Sequence, residues 1–339
     1  MSDVRVGIVS FEHVHTPSYV RCLSNMPGAF LAAASDDDAE RLKAARVNYP
    51  FIKEWFSSHA QLIEDPNVDA IVITANNAAH ADLAVAAARA GKHILCEKPL
   101  ATTVADGQRI IAAAAEAGVR LMTAFPVRFS PAIAQARDAI RRGDLGRILG
   151  ACTSNHGSMP GGWFTDEAKS GGGAVMDHTV HVADLLRWML DDEVMEVYGE
   201  CDTLLHDIET DDVGQLVMRF SRGTIVSLDT SWSRPKSYST WGDVKMEIKG
   251  EKGNLSLNCF PRAINVFDDS EMRHTGFGAG DDLDSLMISE FINAVRENRE
   301  PLVTGKDGLH AVVVAIAAYQ AAKGRKVSKI ETGGGAVLV

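Results

Sequence analysis

The 339-residue chain has little cysteine, and what it has is dispersed. The five residues Cys22, Cys96, Cys152, Cys201 and Cys259 are odd in number and include no CxxC pair, which excludes a disulfide framework or a cysteine zinc site as the basis of the fold. Long apolar runs are missing too, since no stretch reaches the roughly 18 residues of a membrane span. The start MSDVRVGIVS lacks a basic segment followed by an apolar one, so a reduced, cytoplasmic, soluble protein is expected. Basic residues are the minority, 34 against 45 acidic, and the net charge of -11 is spread along the chain, which argues against a nucleic-acid partner. What remains is an ordinary globular composition, 46% hydrophobic and 23% charged, on a chain longer than one core usually supports.

In the first third, apolar runs at Val4 to Val9, Phe30 to Ala34, Ala70 to Thr74, His93 to Cys96 and Leu121 to Phe125 suit strands buried on both faces. Helical patterns lie between them near Thr16 to Met26, Asp38 to Val47, Ala78 to Ala90 and Val104 to Ala117, the last two closed by Gly91 and Gly118. This alternation predicts a doubly wound parallel sheet over residues 1–125. From about Pro126 the texture changes. Leu216, Met218 and Phe220, and then Val244, Met246 and Ile248, alternate with polar or exposed positions, as half-buried antiparallel strands do. With helices expected near Ala174 to Leu190, Leu283 to Glu297 and Gly308 to Ala322, residues 126–339 read as an α+β domain with an open, mostly antiparallel sheet.

A second shortage is chemical. After the first strand, where a dinucleotide-binding turn would be rich in glycine, the chain reads Ser10-Phe11-Glu12-His13-Val14-His15. Asp36, about 25 residues further on, is the acidic residue that in such folds accepts hydrogen bonds from the adenosine ribose, although the run Asp36-Asp37-Asp38 also suits the cap of the next helix. Ala75, Asn76, Asn77 and His80 follow one strand and Glu97-Lys98-Pro99 another, at the ends where ligands of parallel sheets bind. The segment from Ser170 to Asp184 opens with three glycines and then places Asp177, His181 and Asp184 at i, i+4 and i+7, on one helical face. A carboxylate beside an imidazole suits a general base, though buried polar groups at a helix start have the same pattern.

These marks, together with Arg128-Phe129-Ser130-Pro131, Gly143-Asp144-Leu145-Gly146 and Trp163, resemble the Gfo/Idh/MocA family of glucose–fructose oxidoreductase and inositol dehydrogenase relatives from about Val4 to about Val327. The resemblance implies a Rossmann domain followed by an α+β domain whose open sheet mediates homodimers or homotetramers. It also implies NAD(P)-linked hydride transfer at a carbinol carbon of a sugar, polyol or cyclitol, with NAD preferred to NADP because of Asp36. Catalysis would fall to His181 as acid/base, Lys98 on the substrate oxygen and Asp177 as their partner. Ser10, Phe11, His13, Asp36, Ala75, Asn76, Asn77, His80, Glu97, Lys98 and Arg128 would hold the coenzyme, and Asn155, His156, Trp163, Asp177 and His178 the substrate.

The chain departs from the family where Ser10, Glu12 and His15 replace glycines, where Thr179 replaces the glycine between Asp177 and His181, and where His178 is added. Glu12 is the serious change, because a carboxylate near a diphosphate is repulsive unless it is paired or turned away. Two other readings stay open: a non-catalytic relative serving as a binding subunit, and a metal-assisted enzyme using His13, His15 and the Asp177–His181 helix. No metal is assigned at this point.

Overall fold

The apolar runs near the N-terminus become parallel strands, because strands flanked by helices on both faces must be apolar on both. A computed structural model describes residues 3–238, 242–260, 262–278, 282–333 and 336–338. Strands β1 (Val4–Val9), β2 (Ala29–Ser35), β3 (Glu54–Phe56), β4 (Ala70–Ile73), β5 (His93–Cys96) and β6 (Leu121–Thr123) form one parallel sheet in the order β3-β2-β1-β4-β5-β6. The order reverses between β1 and β4, and ligands of such sheets bind at the carboxyl ends of the strands beside that point. Helices α1 (Thr16–Ser24), α2 (Ala39–Asn48), α3 (His59–Glu64), α4 (His80–Arg89) and α5 (Val104–Ala117) connect these strands. Asp38 caps α2 by accepting the Glu40 and Arg41 amides at 3.0 and 2.8 Å, worth about 1 kcal/mol, and Gly118 ends α5 in the left-handed conformation.

After α6 (Pro131–Arg141), the second sheet is built from β7 (Ile148–Gly157), β8 (Val194–Asp202), β9 (Val213–Phe220), β10 (Ile225–Ser231), β11 (Gly242–Gly250) and β12 (Asn254–Asn258). The short helix α7 (Glu167–Ser170) and the 17-residue helix α8 (Ala174–Leu190) lie between β7 and β8 in sequence. A hairpin of β13 (Arg262–Asp268) and β14 (Arg273–Gly278), helices α9 (Leu283–Arg296) and α10 (Gly305–Gly324), and β15 (Ser328–Lys329) follow. The sheet order is β12-β11-β7-β10-β9-β8-β15, and every pairing is antiparallel except β7 with β10. Neither α6 nor the central strand β7 is among the expected elements, although α6 is amphipathic, with Ile133 and Ala136 buried. The chain forms two compact units. One takes residues 1–126, 160–172 and 284–313, and the other takes residues 127–159, 173–283 and 314–339.

Within the second unit, strand alternation separates neighbouring residues of β7. Asn155 pairs with Thr230 and Val244 on the buried face, where Thr230 Oγ1 donates to Ala174 of α8 at 3.0 Å. His156 therefore projects from the opposite face, where its Nε2 meets Asp229 at 3.1 Å and its Nδ1 meets Asp243 at 3.2 Å. The hydrogen bonds to Asp229 and Asp243 outweigh the opposing effect of burial and raise the His156 pKa to about 9, while Arg234 Nη2 lies 2.9 Å from the same Nδ1.

Helix α8 starts against Asp211. That carboxylate accepts the Gly173 and Val175 amides at 2.9 and 2.7 Å and the Tyr319 hydroxyl at 2.7 Å, while the Met176 amide donates to the Tyr319 oxygen. A Cβ on Gly173 would stand 1.8 Å from the Asp211 carbonyl oxygen, so the backbones meet only because this residue is glycine.

Gly173→Ala is therefore expected to lower stability by about 3 kcal/mol, measured by thermal or denaturant unfolding. His156 gives a second expectation. A pKa raised above the ordinary 6.5 contributes its full stability below about pH 6.5, and that stability is lost as pH rises through about 9. Unfolding free energy should fall by on the order of 2 kcal/mol over that window, and His156→Gln should flatten the profile.

Candidate functional site

The turn after β1 is shaped by its need to satisfy its own amides without glycine. Ser10 stands at φ 75°, the left-handed conformation that the first glycine of a dinucleotide turn would supply. Its hydroxyl accepts the Glu12 amide at 3.2 Å. The Phe11 amide donates to Asp36 Oδ2 at 2.8 Å, the His13 amide to the Thr74 carbonyl at 3.0 Å, and the His15 amide to His13 Nδ1 at 3.2 Å. At the start of α1 the Thr16 and Ser18 amides bond to the His13 and His15 carbonyls, and Pro17 has no N–H. Most of the donors that would cradle a phosphate are thus engaged within the chain.

Glu12 points at the next loop. Its Oε2 accepts the Asn76 amide at 3.1 Å and Asn76 Nδ2 at 2.9 Å, and its carbonyl accepts Trp163 Nε1–H at 3.2 Å. No ion pair to Glu12 forms among the described residues. Trp163 stacks on Phe164 at 3.9 Å, and both lie within 6 Å of the His13 ring. Trp163 thus packs over the turn.

Asp36 is fully buried. Oδ1 accepts from the Asp38 amide and Arg41 Nη2, Oδ2 from the Phe11 amide and Arg41 Nε, all between 2.8 and 3.1 Å. These four bonds use the acceptor capacity of a carboxylate, so a ribose hydroxyl reaches Asp36 only by displacing one of these donors. Arg41, five residues after Asp36 and partly exposed, is the residue in the best position to move. Phe11 stacks between Tyr49 and Trp55, each at 5.7 Å.

His80 braces two loops, its Nδ1 lying 2.9 Å from the Pro99 carbonyl and its Nε2 3.2 Å from that of Ala75. Burial lowers its pKa, and the neutral ring carries one N–H for those two oxygens. Asn77 Nδ2 donates to the Ser170 carbonyl at 2.8 Å. Lys98 is 2% exposed and its amide donates to Glu97 Oε2 at 3.1 Å. Glu97 Oε1 accepts from His15 Nδ1 at 3.0 Å and lies 3.7 Å from His13 Nδ1.

Electrostatics separates these groups. Burial pushes the His13 pKa down to about 3, so the ring is neutral at neutral pH. The same burial works against a charged His15, yet Glu97 outweighs it and raises the His15 pKa. Burial alone would push the Glu97 carboxyl up, but His13, His15 and Lys98 hold it well below the usual carboxylate range.

In the second unit, α8 carries Asp177, His178 and His181, all buried. Asp177 Oδ2 accepts Trp232 Nε1–H at 3.0 Å and lies 3.2 Å from His178 Nε2. Trp232, on no motif, had no signal in the sequence. Asp184, one further turn along the face, forms a bidentate ion pair with Arg128, Nε to Oδ2 at 2.9 Å, and Arg128 lies 5.4 Å from the centre of the Trp188 ring. Arg128, expected to hold coenzyme, is thus 4% exposed and committed to Asp184. Asn155 faces α8 and donates its Nδ2–H to the Asp243 carbonyl at 2.9 Å, whereas His156 lies across the sheet. The glycines before α8 let the chain approach itself: Gly173 abuts Asp211, and a Cβ on Gly171 would stand 2.6 Å from Thr102. Asp211 and Tyr319 lie far along the chain from the helix they cap, beyond any local pattern.

The structure therefore offers a parallel sheet with a dinucleotide-type turn and a buried lysine at one strand end, and a helix with a fixed carboxylate–imidazole pair. No helix among the described residues is long and apolar enough to cross a membrane. Residues 4–125 match the oxidoreductase family with an NAD-binding Rossmann fold, and residues 133–256 match the GFO/IDH/MocA C-terminal domain. The chain is 28% identical to a myo-inositol 2-dehydrogenase of Thermotoga maritima over 97% of this chain and 99% of that one. It is 30% identical to a 1,5-anhydro-D-fructose reductase of Ensifer adhaerens over 90% and 92%. A crystal structure of a probable dehydrogenase from Thermotoga maritima superposes with a TM-score of 0.82 at 26% identity, covering 96% of this chain and 99% of that one. With both halves matched in order, the chain belongs to the GFO/IDH/MocA oxidoreductase family and its first half is an NAD-binding Rossmann domain.

Proposed function

We propose that this oxidoreductase is an NAD-dependent dehydrogenase of the cytoplasm acting on a carbinol carbon of a cyclitol, sugar or polyol. The observation that carries the reading is Lys98, a buried lysine at the carboxyl end of β5, where ligands of a parallel sheet bind. The residues present fit a dinucleotide: Ser10 keeps the glycine-type backbone, and Glu12 is folded onto Asn76. The names of the myo-inositol 2-dehydrogenase and 1,5-anhydro-D-fructose reductase relatives point to the substrate class.

When bound, NAD+ supplies the hydride acceptor. Oxidising a carbinol also requires that the hydroxyl lose its proton and that the developing negative oxygen be stabilised. His181 takes that proton, and the Lys98 ammonium stabilises the oxygen. Asp177, held by Trp232 and next to His178, binds or orients. Asn155 and Trp163 line substrate, and the turn from Ser10 to His13 with Asp36, Asn76 and Asn77 borders coenzyme. Either Arg41 gives way when a ribose bonds to Asp36, or the ribose bonds beside it.

NADH titration followed by nicotinamide fluorescence should show saturable binding, tighter than that of NADPH. With myo-inositol and related cyclitols as substrates, Lys98→Met and His181→Ala should each lower kcat on the order of a hundredfold or more while NADH still binds. Failure to bind either coenzyme refutes the reading, and unchanged kcat in both variants refutes the residue roles.

We also propose that copies associate through the outer face of the second sheet, where Tyr198, Val217 and Ile225 are 39–45% exposed. Light scattering should report a dimer or tetramer, and Ile225→Asp should shift it towards monomer. A monomeric wild type refutes this.

A further inference from the structure

Three side chains at the carboxyl edge of the first sheet gather into a cluster beside the proposed coenzyme turn. His13, His15 and Glu97 come from the turn after β1 and the end of β5, and their donor atoms lie within 4.8 Å of one another. We propose that they form a binding site for one divalent first-row transition ion of the zinc type, a site the dehydrogenase reading does not require.

Two imidazoles and a carboxylate are the donor set of many such sites. Ligand atoms about 2.0–2.2 Å from a tetrahedral ion stand roughly 3.3–3.5 Å from one another. The separations of 3.0 Å from His15 Nδ1 to Glu97 Oε1 and 3.7 Å from His13 Nδ1 to the same oxygen bracket that spacing. The scaffold is fixed, since the His13 amide is held by Thr74 and the Glu97 amide by Ile73. Glu97 Oε2 accepts the Lys98 amide, which orients the carboxylate as outer contacts do in metal sites.

His13 is fully buried beside Glu97. Its Nε2 is buried without a hydrogen-bond partner, and its Nδ1 holds only the His15 amide at 3.2 Å, a contact that an ion would replace. His15, a quarter exposed, leaves an approach from solvent. The positive charge of Lys98 nearby disfavours ions held by charge alone, such as magnesium or calcium, and favours one that gains from imidazole bonds.

Full-length protein stripped with EDTA should bind one Zn2+ per chain by calorimetry. Co2+ should give the visible absorption of a low-symmetry site with nitrogen ligands. His15→Ala and Glu97→Gln should each weaken Zn2+ binding by at least about a hundredfold, more than the loss of an outer contact costs, and should abolish the cobalt band. Circular dichroism checks that the variants are folded. If His15→Ala fails to fold, Glu97→Gln and the wild-type cobalt spectrum decide. A wild type that retains no ion overturns the proposal, as does either folded variant binding like the wild type. Zinc is read here without coenzyme or substrate, so its failure and that of the dehydrogenase reading are separable.

Discussion

The turn after β1 can dispense with glycine only if other groups take up its amides, and much of the first unit is arranged around that demand. A backbone N–H left unpaired and buried costs as much as a lost hydrogen bond. Asp36, Ser10, Thr74 and His13 each accept one amide of the turn. Asp36 then faces inward, and Arg41 neutralises it. The residue that the fold would use to read a ribose thus also builds the turn. Any coenzyme bound here does so against a preformed hydrogen-bond network, and its affinity reflects whichever of these bonds it replaces.

The second unit meets a similar demand with charge. Asp184 and Arg128 are both buried, and taking two charges out of water is tolerable only because they meet as a bidentate pair. Asp211 accepts amides at the start of α8, so the positive end of the helix is already met by a carboxylate. Asp177, on the same helix, accepts an indole N–H from Trp232.

Much of this was legible in the sequence. The five principal strands of the first sheet follow their apolar runs, and β9 and β11 follow their alternation, because burial on two faces or one leaves that trace. The place of Lys98 at a strand end follows from the strand position, whereas its burial does not. Partners distant along the chain left no trace: Asp211 and Tyr319 at Gly173, Trp232 at Asp177, and Arg128 at Asp184. Asn155 and His156 were read together as pocket walls, but period-two geometry sends neighbours to opposite faces, and β7 had too weak a pattern to be placed. Of the two readings of the triple aspartate, the cap is seen at Asp38, while Asp36 accepts the Phe11 and Asp38 amides and Arg41.

Loss of the glycines and the gathering of His13, His15 and Glu97 are consequences of one another. Glycines at these positions would leave Glu97 a buried carboxylate with Lys98 as its nearby cation. Replacing glycine by His15 puts a second donor 3.0 Å away, and His13 adds a neutral ring at 3.7 Å. The turn thereby exchanges backbone N–H groups, which bind anions weakly and without choice, for side chains with lone pairs and titratable protons. Such a turn responds to the charge of whatever lies against it, and the chemistry at this edge of the sheet is set by side chains more than by the backbone path that the fold supplies.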